Sequence, residues 1–178
     1  MTATLTDKSK YLSYLLRHKP EAAKLILDKE GWCRVDQLLA NTGIAESELM
    51  QIVAEDEKGR YSFDAFATSV RANQGHSTTK VRLTFKKAVP PVLLYHGTSR
   101  KSMGLILKQG LKPMGRHHVH LTADLDTARS VGGRRCGATV LFEINTKSMV
   151  ADGQEFYLSD NNIWLVHTVQ SKYLKEVA

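Results

Sequence analysis

Apolar positions recur at helical spacing through the first third of the chain, then give way to alternation. In "SKYLSYLLRHKP" the residues Tyr11, Leu12, Leu15 and Leu16 recur at helical spacing, and Pro20 ends the pattern. Pro20 suits the first position of a second helix, "PEAAKLIL". "RVDQLLAN" supplies Val35, Leu38 and Leu39, and "SELMQIVAED" supplies Leu49, Ile52 and Val53, both at helical spacing. The period changes at "GRYSFD" and again at "KVRLTFK", where Val81, Leu83 and Phe85 alternate as in a strand. Short helices followed by a small β ribbon predict a winged-helix lobe.

"KKAVPPV" is the best boundary, because adjacent prolines cannot join the interior of a ladder and stiffen the chain into a link. It divides the chain into residues 1–87 and 88–178. Beyond it, "VLLYHGT", "HVHLT", "ATVLFEI" and "IWLVHTV" read as short strands of an α+β sheet. "SRKSMGLILKQG" is the one clear helix of this half, with Ser99 as N-cap and Gly110 as its stop.

Charge narrows the choice of partners. Among 178 residues, 25 basic against 18 acidic side chains leave a net +7, which favours an anionic partner such as nucleic acid. Cys33 and Cys136 are far apart with no CxxC companion, so neither a disulfide framework nor a thiolate metal site is indicated. The N-terminus lacks the apolar core of a signal peptide, and no run reaches the ~18 apolar residues of a membrane span. A soluble, monomeric, cytoplasmic protein that does not engage membranes is expected.

Three polar clusters carry candidate chemistry. Arg17 and His18 close the first predicted helix, where a cation also gains about 0.3–1 kcal/mol from the helix dipole. "VRANQGHS" crowds Arg71, Asn73, Gln74, His76 and Ser77 into eight positions. Arginine forks match phosphate oxygens, so Arg17, His18 and Arg71 would form a phosphate cradle if the lobe brought them together. The third cluster spans "LYHGTSRKS" and "GRHHVHLT". A strand-end His96, then Gly97 and Thr98, would let backbone approach a flat polar ligand. His118 and His120 share one strand face and with His96 are a weak zinc signal; no metal is expected. "SVGGRRCG" reads as a flexible loop offering Arg134 and Arg135 to phosphate. No GxGxxG follows a strand and no GxxxxGK[ST] occurs, which disfavours a Rossmann site and a P-loop.

Taken together, "LSYLLRH", "GWCRVDQLL", "VRANQGHS", "LYHGTS", "GLKPMGRHHVHLT" and "MVADGQEFYLSDNNIWL" resemble the NAD-dependent RNA 2′-phosphotransferases, often called tRNA 2′-phosphotransferases. The resemblance runs from about residue 10 to 168. It implies an N-terminal winged-helix lobe that binds RNA and a C-terminal NAD-binding lobe with an ADP-ribosyltransferase fold. It further implies removal of an internal RNA 2′-phosphate left by tRNA splicing or handled in RNA repair, with NAD consumed as co-substrate. The products would be 2′-OH RNA, ADP-ribose 1″,2″-cyclic phosphate and nicotinamide, formed through an ADP-ribosylated RNA 2′-phosphate.

The family's arginine–histidine–arginine–arginine quartet falls on Arg17, His18, Arg71 and Arg135, with Arg134 as the alternative. For NAD the resemblance implies His96, Gly97, Thr98, Ser99, Arg116, His120 and Asn161. His76 joins Arg17, His18 and Arg71 toward the RNA phosphate, with Asn73 and Gln74 supporting a cleft between the lobes. Two other readings stay open. One is an ADP-ribosyltransferase that modifies side chains or nucleic-acid ends, for which Glu155 would be the late carboxylate. Transfer to terminal nucleic-acid phosphates would also fit the expected enzyme as a side activity. The other is a non-catalytic winged-helix regulator, which leaves the histidine and glycine motifs unused.

Overall fold

The computed structural model describes residues 3–133 and 138–177 of the chain. It is a mixed α+β structure with antiparallel sheets, and it divides into two compact units, Met1–Thr84 and Phe85–Ala178.

The first unit opens with α1 (Leu5–Arg17), more than a turn earlier than the apolar spacing predicts, because the Thr4 side chain accepts a hydrogen bond from the Asp7 amide. Leu12, Leu15 and Leu16 are fully buried and join a core with Leu38, Leu49, Ile52 and Val70. The helix predicted for "PEAAKLIL" is only a 3-10 turn, Pro20–Ala23. Lys24 takes a left-handed conformation that ends it, and its amide donates to Glu21 and Pro20 carbonyls. Helices α2 (Val35–Thr42) and α3 (Glu46–Ala54) follow their predicted segments.

The sheet of this unit departs further from expectation. Its strands β1 (Cys33–Arg34), β2 (Tyr61–Phe63) and β3 (Ser69–Ala72) lie in the order β1-β3-β2, so the central strand holds the first residues of "VRANQGHS". Val70 and Ala72 alternate into the core while Arg71 points to the other face, which is why a polar octet can begin as a central strand. "KVRLTFK" does not form the predicted strand. Val81 is buried, but only Lys86–Lys87 enters a ladder, as β4 of the second unit.

In the second unit β5 (Leu93–Ser99) pairs along its whole length with β7 (Thr139–Asn145), and β10 (Leu174–Val177) covers the other edge of β7. A smaller sheet has the order β4-β8-β9-β6, with β6 (Val119–Leu121), β8 (Tyr157–Leu158) and β9 (Trp164–Val166). A Tyr95–Thr122 bridge ties the two sheets. Helix α4 (Arg100–Gln109) ends at Gly110, whose amide donates to Ile106; a side chain there would meet the Val169 carbonyl. It is not the only helix of this half, since α5 (Leu125–Gly132) and α6 (Thr146–Ala151) flank β7 in the chain. Ser130–Gly132 of "SVGGRRCG" form the last turn of α5, and its Arg134 and Arg135 lie outside the described residues.

Helix α5 lies unusually close to β5. A β-carbon on Gly97 would stand 1.8 Å from the Ala128 carbonyl oxygen, and one on Gly132 would stand 2.9 Å from the Thr98 amide nitrogen. Two glycines, one on each element, bring the backbones into contact. The absent side chain of Gly97 thus makes room for a helix.

Among the described residues no helix is long and apolar enough to cross a membrane.

Candidate functional site

In the first unit the end of α1 docks onto the loop that leaves β3. The Ser77 amide donates to the Arg17 carbonyl at 2.9 Å, and His18 Nδ1 lies 2.9 Å from Ser77 Oγ. The loop reaches this point because Gly75 adopts φ +89°, a region that other residues resist. Asn73 anchors its start: its amide donates to the Arg60 carbonyl and its side-chain Nδ2 to the Gly59 carbonyl, both at 2.8 Å.

Arg17 is buried to 8% exposure, a costly place for a guanidinium unless polar groups surround it. Arg71 lies over the Trp32 ring, Cζ 4.6 Å from the centroid, a cation–π contact worth about 0.5–1 kcal/mol at an exposed site. Trp32 precedes Cys33, which pairs with Val70, so the ladder itself brings indole and guanidinium together. The fold therefore places Arg17, His18 and the Arg71 strand around one loop.

His76 lies farther along the same loop. It is 4% exposed, and a side chain on Gly31 would come within 3.2 Å of its Nε2, so its ring fills the space beside that glycine. Asn73 Oδ1 and Gln74 Oε1 are buried acceptors without a hydrogen-bond partner among the described residues, an arrangement open to a ligand's donors.

In the second unit His96 is half-buried on β5, with Nδ1 3.0 Å from the His120 carbonyl. A carbonyl only accepts, so Nδ1 carries the hydrogen and Nε2 of the neutral ring is an acceptor. Burial holds this imidazole below its ordinary pKa, and the Arg116 charge pushes the same way against the hydrogen bond to His120. The site thus offers a neutral, fixed tautomer. Thr98 and Ser99 follow on the same strand, and Ser99 Oγ lies 3.4 Å from Ser102 Oγ at the start of α4.

The smaller sheet shows which way the histidines of "GRHHVHLT" face. Val119, Leu121 and Val166 join the core, whereas His120 pairs with Leu165, and Leu165 with Tyr157, on the opposite face. His118 shares that face and stacks on His167 at 5.6 Å, with Phe85 at 5.8 Å and Tyr157 at 6.1 Å. Burial lowers the His118 pKa, helped by the neighbouring His167 and His117. No group of three or more His, Cys, Asp or Glu side chains among the described residues is placed to hold a metal ion.

Arg116 lies in the turn before β6, its amide donating to the Pro113 carbonyl at 3.0 Å. Asn161 sits in the β8–β9 hairpin turn, where its Oδ1 accepts from Ser159 Oγ at 2.8 Å. Glu155, the late carboxylate, is exposed, ion-paired with Lys87 and accepts from the Tyr157 hydroxyl at 2.8 Å. Both partners hold its pKa below the ordinary range.

Two positioning residues had faint signals in the sequence. Ser77 is the hydroxyl that ends "VRANQGHS", and Trp32 stands beside the buried Cys33, but only the fold pairs them with His18 and Arg71.

Comparison with known proteins gives a consistent picture. Residues 4–168 match the family model described as RNA 2′-phosphotransferase, Tpt1 / KptA family. The chain is 44% identical over 171 residues to the "Probable RNA 2′-phosphotransferase" of Fusobacterium nucleatum, covering 93% of this chain and 95% of that protein. It is 47% identical over 171 residues to a protein so described from Trichormus variabilis, covering 93% of each. To the "RNA 2′-phosphotransferase" of Escherichia coli K12 it is 41% identical over 176 residues, covering 96% and 95%.

Proposed function

We propose that this chain, which belongs to the RNA 2′-phosphotransferase, Tpt1 / KptA family, removes an internal 2′-phosphate from RNA and transfers it to NAD. The observation that carries this reading is the docking of Arg17 and His18 onto the loop that follows the Arg71 strand. Two arginines and a histidine around one loop suit a dianionic phosphate, and a phosphate monoester with a second pKa of ~6 is already a nucleophile at neutral pH. Such an acceptor needs no carboxylate base, in keeping with Glu155 being engaged elsewhere.

NAD supplies an electrophilic anomeric carbon with nicotinamide as leaving group. In the first step a 2′-phosphate oxygen bonds to that carbon as its bond to nicotinamide breaks, giving an ADP-ribosylated RNA 2′-phosphate. In the second step the 2″-hydroxyl of the ADP-ribose attacks phosphorus. The RNA 2′-oxygen departs and takes a proton, and ADP-ribose 1″,2″-cyclic phosphate is released. Arg17 and Arg71 stabilise the charge on the phosphate oxygens, with Arg135, or Arg134, as the fourth cation. His18, bonded to a hydroxyl that both donates and accepts, serves the leaving oxygen.

For NAD the second unit fits in kind. The neutral Nε2 of His96 accepts from a ribose hydroxyl or the carboxamide, and Thr98, Ser99, His120, Arg116 and Asn161 supply further polar groups. We read the first unit as the winged-helix lobe and the second as the ADP-ribosyltransferase-like lobe. ADP-ribosylation of terminal nucleic-acid phosphates is the matching side activity, because the nucleophile is the same. The test is stoichiometry: incubation of a 2′-phosphorylated oligoribonucleotide with NAD should release one nicotinamide per 2′-phosphate lost. Loss of the phosphate without NAD would refute the reading.

A further inference from the structure

The exposed face of α1 leads straight into the phosphate-binding end of the first unit. Tyr11 and Tyr14 are 41% and 42% exposed, while Leu12, Leu15 and Leu16 of the same helix are fully buried. Tyr11, Tyr14 and His18 are spaced i, i+3, i+7, so their side chains follow one line along the helix. The Tyr14 and His18 rings meet at 6.4 Å with their planes tilted 49°. His18 is thus the last ring of a short aromatic row and the first group of the phosphate site. At 1.5 Å rise per residue, Tyr11 and Tyr14 are about 4.5 Å apart along the axis.

We infer that Tyr14 and Tyr11 form a stacking platform for the nucleobases of the RNA strand next to the 2′-phosphate. The inference rests on the reading of Arg17, His18 and Arg71 as the phosphate site. A phosphate held at His18 leaves its own nucleotide beside the Tyr14 ring, and a base offers a π-face whatever its identity. Stacking would tether the strand without reading its sequence, as an enzyme acting on one 2′-phosphate in varied junctions requires. Lys10, exposed one turn before Tyr14, pairs with Asp7 at 3.6 Å, an exposed pair weak enough to yield to a backbone phosphate.

The test is equilibrium binding, without NAD, of a short single-stranded RNA with one internal 2′-phosphate. A second RNA is abasic at the nucleotides flanking that phosphate. Tyr14→Ala should weaken binding of the first roughly 5- to 150-fold, the loss corresponding to one stacked base at ~1–3 kcal/mol. Tyr14→Phe, which keeps the ring, should bind like the wild type, and Tyr11→Ala should show a smaller loss. On the abasic RNA, Tyr14→Ala and wild type should bind alike. Equal weakening on both RNAs, or none on either, would overturn the platform. An RNA without the 2′-phosphate separates the two ideas: if the wild type binds it equally well, the phosphate site is wrong, while the contrast between base and abasic RNA still decides the stack.

Discussion

Each unit fixes one histidine against an oxygen, but the oxygens differ in kind. His18 meets the hydroxyl of Ser77, which can donate or accept, so the contact survives either tautomer and either charge state. His96 meets the carbonyl of His120, which only accepts, so its ring is locked with hydrogen on Nδ1 and, through burial, kept neutral. One partner leaves the imidazole able to exchange a proton; the other makes it a fixed acceptor. On the proposed function, this contrast gives proton and phosphate work to the first unit and recognition of a neutral polar group to the second.

The largest effect expected is on the cationic side. Arg71→Ala should lower the rate of the step in which phosphate charge builds by about 10²–10³, the usual cost of one preorganised donor, measured by single-turnover kinetics. A loss of only a few-fold would make Arg71 a surface cation stacked on Trp32 and nothing more. Next is the packing that presents His96. Gly97→Ala forces a methyl into the Ala128 carbonyl and should cost about 3 kcal/mol in urea denaturation, the upper end of typical overpacking. An unchanged midpoint would show that α5 can retreat without cost.

A smaller effect separates the two histidines directly. Asparagine at position 96 keeps a donor for the His120 carbonyl but loses the Nε2 acceptor. His96→Asn should therefore raise KM for NAD about 2- to 12-fold, one hydrogen bond's worth at ~0.5–1.5 kcal/mol, with kcat little changed. His18→Asn should instead lower kcat. Equal effects on both parameters in the two variants would erase the distinction.

The smallest effect is in stability against pH. Burial holds His96 below its ordinary 6.5, so below about pH 6.5 the unfolded chain takes up protons that the folded one resists. Stability present at pH 7 should decline toward pH 5, and His118, lowered by the same cause, adds to the slope. His96→Asn should flatten that slope without abolishing it, as read by denaturation at a series of pH values; an unaltered slope would contradict a neutral, half-buried His96.

The parts of this molecule legible in its sequence are those set by local pattern. Leu12, Leu15 and Leu16 announce α1, and Gly110 marks the end of α4. What escaped depends on distant partners. "VRANQGHS" looks too polar for a core strand until its alternation is matched to β1 and β2, which bury Val70 and Ala72 and turn Arg71 outward. "KVRLTFK" alternates like a strand, but Val81 meets its burial without a ladder. The packing role of Gly97 is invisible in its motif because nothing local says that Ala128 will lie against it. The same limit holds at the candidate site: Arg17, His18 and Arg71 are proposed from the motifs, whereas Ser77 and Trp32, which touch His18 and Arg71, are identified only by contacts across some forty to sixty residues.

The most direct measurement follows the phosphorus atom itself. An oligoribonucleotide carrying a labelled internal 2′-phosphate, incubated with protein and NAD, should pass its label first to an ADP-ribosylated RNA and then to ADP-ribose cyclic phosphate. In Arg17→Ala or Arg71→Ala the label should stall on the RNA conjugate. Label appearing as inorganic phosphate, or passing through both variants at the wild-type rate, would contradict a phosphate site built from the end of α1 and the loop after β3.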